Sequence, residues 1–136
     1  MTYEKVIQNI FSVILGLFFI NVGVQHFLDP KWFEPIVPDI IGNPKFWVFL
    51  TGGIEVLLGV GLIIPNTRRY SGISMALFLV AVYWANLNMW VNDIPLDGKT
   101  YASKWHILRG IAQTLMIAIA LWVGGWLKRA KPSATN

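Results

Sequence analysis

The chain has 136 residues, of which 55% are hydrophobic and only 13% are charged, and its formal net charge is +4. A soluble domain carries about 25% charged residues, so this composition excludes an ordinary water-soluble protein. The small basic excess then points to membrane topology rather than to nucleic-acid binding. Cysteine is absent, which excludes disulfides, thiolate metal sites and thiol redox chemistry.

Four apolar runs follow one another along the chain. A helix of roughly 20 residues crosses a bilayer, and the runs predict membrane spans at residues 6–28, 46–64, 70–91 and 107–127. Glu55 and Arg109 are the only charged residues inside these spans. We therefore predict a single all-α domain over residues 1–136, an integral membrane four-helix bundle with up-down-up-down connectivity. Residues 128–136 form a short basic polar tail.

Three connections separate the predicted helices. The first, residues 29–45, contains a stretch at 31–37 that mixes aromatic, charged and proline residues and is too short to span. It is either a re-entrant or interfacial piece on the outer surface or an ordinary loop. Pro65 and Asn66 form a tight turn, and residues 92–104 link the last two helices.

Basic residues are unequally distributed between the two ends of the predicted bundle. The end that holds both termini has six Lys and Arg residues, and the other end has four. The positive-inside rule therefore predicts both termini in the cytoplasm. The six residues are Lys5, Arg68, Arg69, Lys128, Arg129 and Lys131.

Polar side chains inside the spans gather in the half of the bundle that lies away from the termini. Glu55 is nine residues past Phe46, which places it about 13 Å deep, near the bilayer centre. We predict a polar recess that opens to the outer leaflet and is closed at its bottom by Glu55. The recess would be formed by Asn21, Gln25, His26, Asn86, Arg109 and Gln113.

Helical spacing supports this convergence. Gly52, Glu55 and Gly59 share one helix face, and the small neighbours would let another helix approach the carboxyl group closely. Asn21 and Gln25 likewise share a face. Asn86 and Asn88 cannot both point inward, and we favour Asn86 because Tyr83 lies on its face.

Glu55 is the candidate catalytic residue, and the six other polar residues are candidate ligand-binding residues. An ionised carboxylate at this depth is costly without a partner, so it is either protonated or satisfied by Gln113 or Arg109. The alternatives are a neutral Glu55 that bonds helices together and a functional proton or ligand site. A metal held by His26, His106 and Glu55 lacks any paired local ligand spacing, and we predict none.

Several segments, taken together, resemble the DoxX family. They are Gly-Val-Gln-His-Phe at 23–27, residues 47–55 and 59–69, and Ala-Asn-Leu-Asn-Met at 85–89, followed by Arg109 and Gln113. The resemblance covers roughly residues 6–127. Many DoxX relatives have a proline between the helix-four Arg and Gln, where this chain has Gly110, Ile111 and Ala112.

The resemblance implies a small four-helix protein of the bacterial inner membrane. The wider group includes a membrane subunit of a thiosulfate:quinone oxidoreductase, other redox-linked subunits and eukaryotic assembly factors. One hypothesis is therefore a redox-associated subunit that binds a quinone or lipid-like molecule and works with a membrane or periplasmic redox partner. The alternative is a non-catalytic accessory or assembly factor. Membrane lipids are expected partners, nucleic acid is not, and a homo-oligomer is compatible with either.

Overall fold

The computed structural model describes residues 2–127 and is built from helices. Four long helices, α1 (Tyr3–Leu28), α3 (Pro44–Ile63), α4 (Arg68–Val91) and α5 (Ser103–Val123), are long and apolar enough to cross a membrane. A short helix, α2 (Pro30–Phe33), follows α1 and leads into two 3₁₀ turns, Glu34–Ile36 and Asp39–Ile41. The structure confirms the predicted helical architecture and the four helices that could cross a membrane.

The four long helices begin two to four residues before the predicted spans, and at α1 and α3 a polar cap extends the helix beyond its apolar run. The Thr2 hydroxyl accepts a hydrogen bond from the Lys5 amide, and the Asn43 side chain accepts one from the Phe46 amide. Such side-chain acceptors satisfy the free N–H groups of a first helical turn. At its other end α5 stops before the predicted residue 127, since Gly124 and Gly125 follow it and Gly125 has a positive φ of 76°.

Glycines set the closest helix packing, which joins α1 to α3. A Cβ atom on Gly16 would lie 2.6 Å from the Gly59 carbonyl oxygen, and one on Gly23 would lie 2.6 Å from the Gly52 carbonyl oxygen. The two backbones are therefore in direct contact at two points seven residues apart, as small residues allow in membrane helices. The expectation that small neighbours admit another helix beside Glu55 is confirmed.

The two halves of the bundle are packed differently. Near the chain ends, α1 contacts α5, where the Gln8 side chain donates to the Trp122 carbonyl at 3.2 Å and Phe11 packs edge-on against the Trp122 ring. Both ends of the described chain thus lie at one end of the bundle. A dense apolar core fills this half, made of Leu15, Phe19, Leu62, Met75, Leu79, Ala120 and Val123.

The membrane side occupied by each end was predicted partly from Lys128, Arg129 and Lys131, which lie outside the described residues. Among the described residues, Arg68 also has a structural role besides its contribution to the charge at this end of the bundle. Its guanidinium donates to the carbonyls of Leu62 at 2.8 Å and Ile63 at 3.0 Å. It thereby satisfies the free carbonyl groups at the end of α3, as a cation at a helix C-terminus does.

Candidate functional site

A cavity of about 620 Å³ occupies the other half of the bundle. All four long helices line it, and the segment between α1 and α3 covers it with Trp32, Phe33, Ile36, Val37, Pro38 and Ile41. The wall is mostly apolar and aromatic, and its size is that of a small-molecule site. The stretch at 31–37 is therefore neither a span nor a free loop, because it packs across α3 and α4 as a cover over the cavity.

The cover is held by specific contacts. The Phe33 ring stacks on the His26 ring, with centroids 3.8 Å apart and planes 17° apart. The Asn88 amide donates to the Ile36 carbonyl at 3.0 Å, and the Trp47 indole N–H donates to the Ile41 carbonyl at 3.0 Å. The sequence predicts that Asn86 rather than Asn88 points inward. Both have a role: Asn86 lines the cavity, and Asn88 anchors its cover.

Glu55 and His26 form the polar floor on the α1–α3 side. Glu55 is 7% exposed and His26 is 8% exposed, and the His26 Nδ1 atom lies 3.3 Å from Glu55 Oε2. Gly52 makes this pairing possible, since a Cβ there would lie 2.6 Å from the His26 Cβ. The sequence leaves Glu55 either protonated or satisfied by Gln113 or Arg109, whereas the structure brings His26 beside it without a hydrogen bond to Oε2.

One hydrogen bond of His26 indicates where its ring carries a proton. Nδ1 lies 2.8 Å from the Val22 carbonyl oxygen, which can only accept, so Nδ1 carries a proton. In the neutral ring Nε2 is then an acceptor, and within residues 2–127 it makes no hydrogen bond. Glu55 Oε2 is buried and also has no hydrogen-bond partner among these residues. The floor of the cavity therefore offers hydrogen-bonding atoms that the described chain leaves unused.

The opposite wall carries polar groups from α4 and α5. Asn86, Arg109 and Gln113 line the cavity there. The Gln113 amide donates to the Leu79 carbonyl at 2.7 Å, which fixes its side chain. Arg109 donates to Met89 Sδ at 3.1 Å, and its guanidinium lies 4.8 Å from the centre of the Tyr101 ring. Polar atoms thus reach the cavity from two facing walls.

Two of the predicted ligand-binding residues are not brought to the cavity. Asn21 and Gln25 lie on the exposed face of α1, and neither lines the cavity. The physical reason is the close contact of α1 with α3 through Gly16 and Gly23, which turns the opposite face of α1 outward. His26, Glu55, Asn86, Arg109 and Gln113 do meet around one space.

His106 lies apart from the other histidine. It is buried and stacks on Trp90, with ring centroids 5.3 Å apart. Within residues 2–127, no three His, Asp or Glu side chains come together in a way that could hold a metal ion. The combination of His26, His106 and Glu55 is therefore not assembled.

The tryptophans that line the cavity were not predicted from the sequence. Trp32, Trp47 and Trp84 all line the cavity, and none of them is among the residues predicted to form the recess. The available signal was the aromatic cluster in the proline-rich first connection, which is unusual for a loop that only joins two helices.

Comparison with known families matches residues 15–124 of the chain to a family described as a domain of unknown function (DUF8561). The chain belongs to this family. The matched region includes all of α3 and α4 and the residues that line the cavity, from Phe18 to Met116. No curated protein and no solved structure matches the chain.

Proposed function

We propose that this protein is a DoxX-like membrane subunit that binds a quinone or a lipid-like small molecule in the cavity beneath the α2 cover. We place it in the bacterial inner membrane with both termini in the cytoplasm, so that the cavity opens toward the outer leaflet. The observation that carries the proposal is the buried Glu55 Oε2, which has no hydrogen-bond partner in residues 2–127 and belongs to a side chain that lines an aromatic cavity. Buried polar atoms are nearly always satisfied, and exceptions are concentrated at functional sites.

The shape and chemistry of the walls support a flat, mainly apolar ligand with polar oxygens. Trp32, Phe33, Trp47 and Trp84 present rings that would pack on a planar group. Such a ring with oxygens on opposite edges would meet His26 and Glu55 on one side and Arg109, Gln113 and Asn86 on the other.

An apolar ligand would reach this space from the bilayer. The lining includes Leu50 on α3 and Trp84 on α4, which are 41% and 50% exposed. The cavity wall is therefore continuous with the lipid-facing surface of two neighbouring helices. A molecule dissolved in the bilayer core would enter without crossing water.

The residues have distinct roles in this proposal. His26, oriented by Val22, would accept a hydrogen bond at Nε2 from a ligand hydroxyl, and Glu55 would hold a proton at the cavity floor. Arg109 would donate to an oxygen on the far edge of the ligand. Because the chain has no cysteine, electron transfer would require a bound cofactor or a partner membrane or periplasmic redox protein.

Glu55→Met and His26→Phe are expected to weaken binding of decylubiquinone about tenfold or more, because each variant removes polar floor atoms while keeping side-chain volume. Quenching of intrinsic tryptophan fluorescence measures this directly, since three tryptophans line the cavity. Thr114→Val is the matched control, since Thr114 is exposed on α5, lies outside the cavity lining and bonds its own helix at Gly110.

Thermal unfolding separates the proposal from a purely structural Glu55. A carboxyl group that serves function at the expense of stability should be replaceable by Met with an unchanged or higher melting temperature. A lower melting temperature together with unchanged quinone binding would instead make Glu55 a link between helices and favour the accessory role. Native mass spectrometry of the gently extracted protein would then distinguish a co-purifying quinone, a phospholipid and a partner chain.

A further inference from the structure

Asn21 is a polar residue on a helix surface that would face lipid in a single copy of the protein. It lies on the exposed face of α1, seven residues before the end of that helix, which corresponds to a depth of about 10 Å. Within residues 2–127 its amide makes no side-chain hydrogen bond. Lipid tails offer no hydrogen-bonding groups, so an amide at this depth is stabilised by a hydrogen bond to another helix.

The surroundings of Asn21 form a regular stripe, which we call the α1 stripe. Its members are spaced alternately three and four residues apart. The apolar members are all exposed, from 40% for Val24 to 72% for Leu28. The α1 stripe consists of Ile7, Ile10, Ile14, Leu17, Asn21, Val24 and Leu28.

Spacing alone does not identify an interface, since every lipid-facing helix exposes residues three and four apart. The exposed stripe of α3 has the same spacing, with Phe46, Leu50, Gly53, Leu57 and Val60. It contains no hydrogen-bonding side chain. The α1 stripe is different because one of its members, Asn21, carries an amide. Gln25, one turn further along α1, lies on the same exposed face.

We propose that the α1 stripe is the interface of a homodimer in which two α1 helices pack in parallel and Asn21 bonds to Asn21 of the second copy. An amide both donates and accepts, so two identical amides on a two-fold axis satisfy each other. Copies inserted with the same topology present α1 in the same direction. In the heptad defined by the stripe, Asn21 occupies the same position as Ile7, Ile14 and Leu28, where a single Asn fixes register in parallel dimers.

The absence of native cysteine allows a direct test by cysteine cross-linking of the full chain in membranes. Leu17→Cys and Val24→Cys flank Asn21 within the α1 stripe and are expected to form disulfide-linked dimers on mild oxidation. Leu57→Cys is the matched control, since Leu57 is 71% exposed near the middle of α3 and lies outside the α1 stripe. It is expected to cross-link at least fivefold less.

The role of the amide is tested by adding Asn21→Leu to the Leu17→Cys background. Loss of the interhelical hydrogen bonds is expected to raise the dimer dissociation constant about tenfold, measured by fluorescence energy transfer between labelled copies in phosphatidylcholine vesicles. A circular dichroism spectrum verifies that the variant remains helical. Equal cross-linking at Leu57 and Leu17, an unchanged dissociation constant, or capture of a different protein at Leu17 without any dimer would each overturn the proposal.

Discussion

Gly52→Ala is expected to lower the free energy of unfolding by about 2 kcal/mol. The added methyl group would lie 2.6 Å from the His26 Cβ and 2.9 Å from the Gly23 carbonyl oxygen. One of these atoms belongs to the backbone and the other is fixed next to it, so neither moves aside cheaply. The two helices must separate, and His26 would then lose its place beside Glu55.

Gly53 gives the matched control for this substitution. It follows Gly52 in the same helix, but a Cβ at Gly53 would lie no closer than 3.9 Å to another atom, the tip of the Phe27 ring. Gly53→Ala should therefore be neutral or stabilising by up to about 1 kcal/mol, because alanine has the higher helix propensity. Unfolding in mixed micelles, followed by circular dichroism, compares the two variants. Equal stability would contradict the direct backbone contact of α1 and α3.

Arg68→Ala is expected to cost about 3 kcal/mol of unfolding free energy. Hydrogen bonds from charged donors contribute about 1.5–3 kcal/mol each, but solvent reduces their sum here because Arg68 is only half-buried. Besides the carbonyls of Leu62 and Ile63, the guanidinium donates to Asn9 Oδ1 at 2.6 Å. This single side chain thus joins the start of α1 to the end of α3 and the start of α4. Its removal leaves carbonyl groups at the partly buried end of α3 without their donor.

Arg69→Ala is the control for Arg68→Ala, because it also removes a positive charge but removes no hydrogen bond to the end of α3. Arg69 is exposed, and its guanidinium lies 4.3 Å from the Trp126 ring, a cation–π contact that contributes about 0.5–1 kcal/mol at an exposed site. Arg69→Ala should therefore shift the unfolding midpoint much less than Arg68→Ala. Arg68→Lys should recover only part of the loss, because lysine lacks the planar fork that reaches several acceptors. Equal costs for the two alanine variants would refute the capping role.

The rotation of each helix could not be predicted from the sequence. In a soluble protein the apolar face of a helix points to the core, but here the lipid-facing and core-facing sides are both apolar. Spacing correctly grouped Gly52 with Glu55 and Asn21 with Gln25, but it did not determine which group faces inward. The close contact between glycines on α1 and α3 fixes the rotation of α1, and this rotation turns Asn21 and Gln25 outward.

The partner of Glu55 depended on the same contact. The sequence offered Gln113 or Arg109 as a partner, because counting residues along each helix assumes straight helices of equal tilt and ignores rotation. The backbone contact of Gly23 with Gly52 fixes the register of α1 on α3 and thereby places His26 beside Glu55. Gln113 is instead held by the Leu79 carbonyl.

By itself, the sequence determined four long apolar helices, their order, and the half of the bundle that holds the polar groups, because length and hydropathy are properties of each segment alone. Only the tertiary structure decided that the first connection covers a cavity, that His26 pairs with Glu55, and that Asn21 faces outward. These features depend on how one helix is turned and aligned against another. In a bilayer, that arrangement is set by close packing and hydrogen bonding rather than by the segregation of apolar from polar surface.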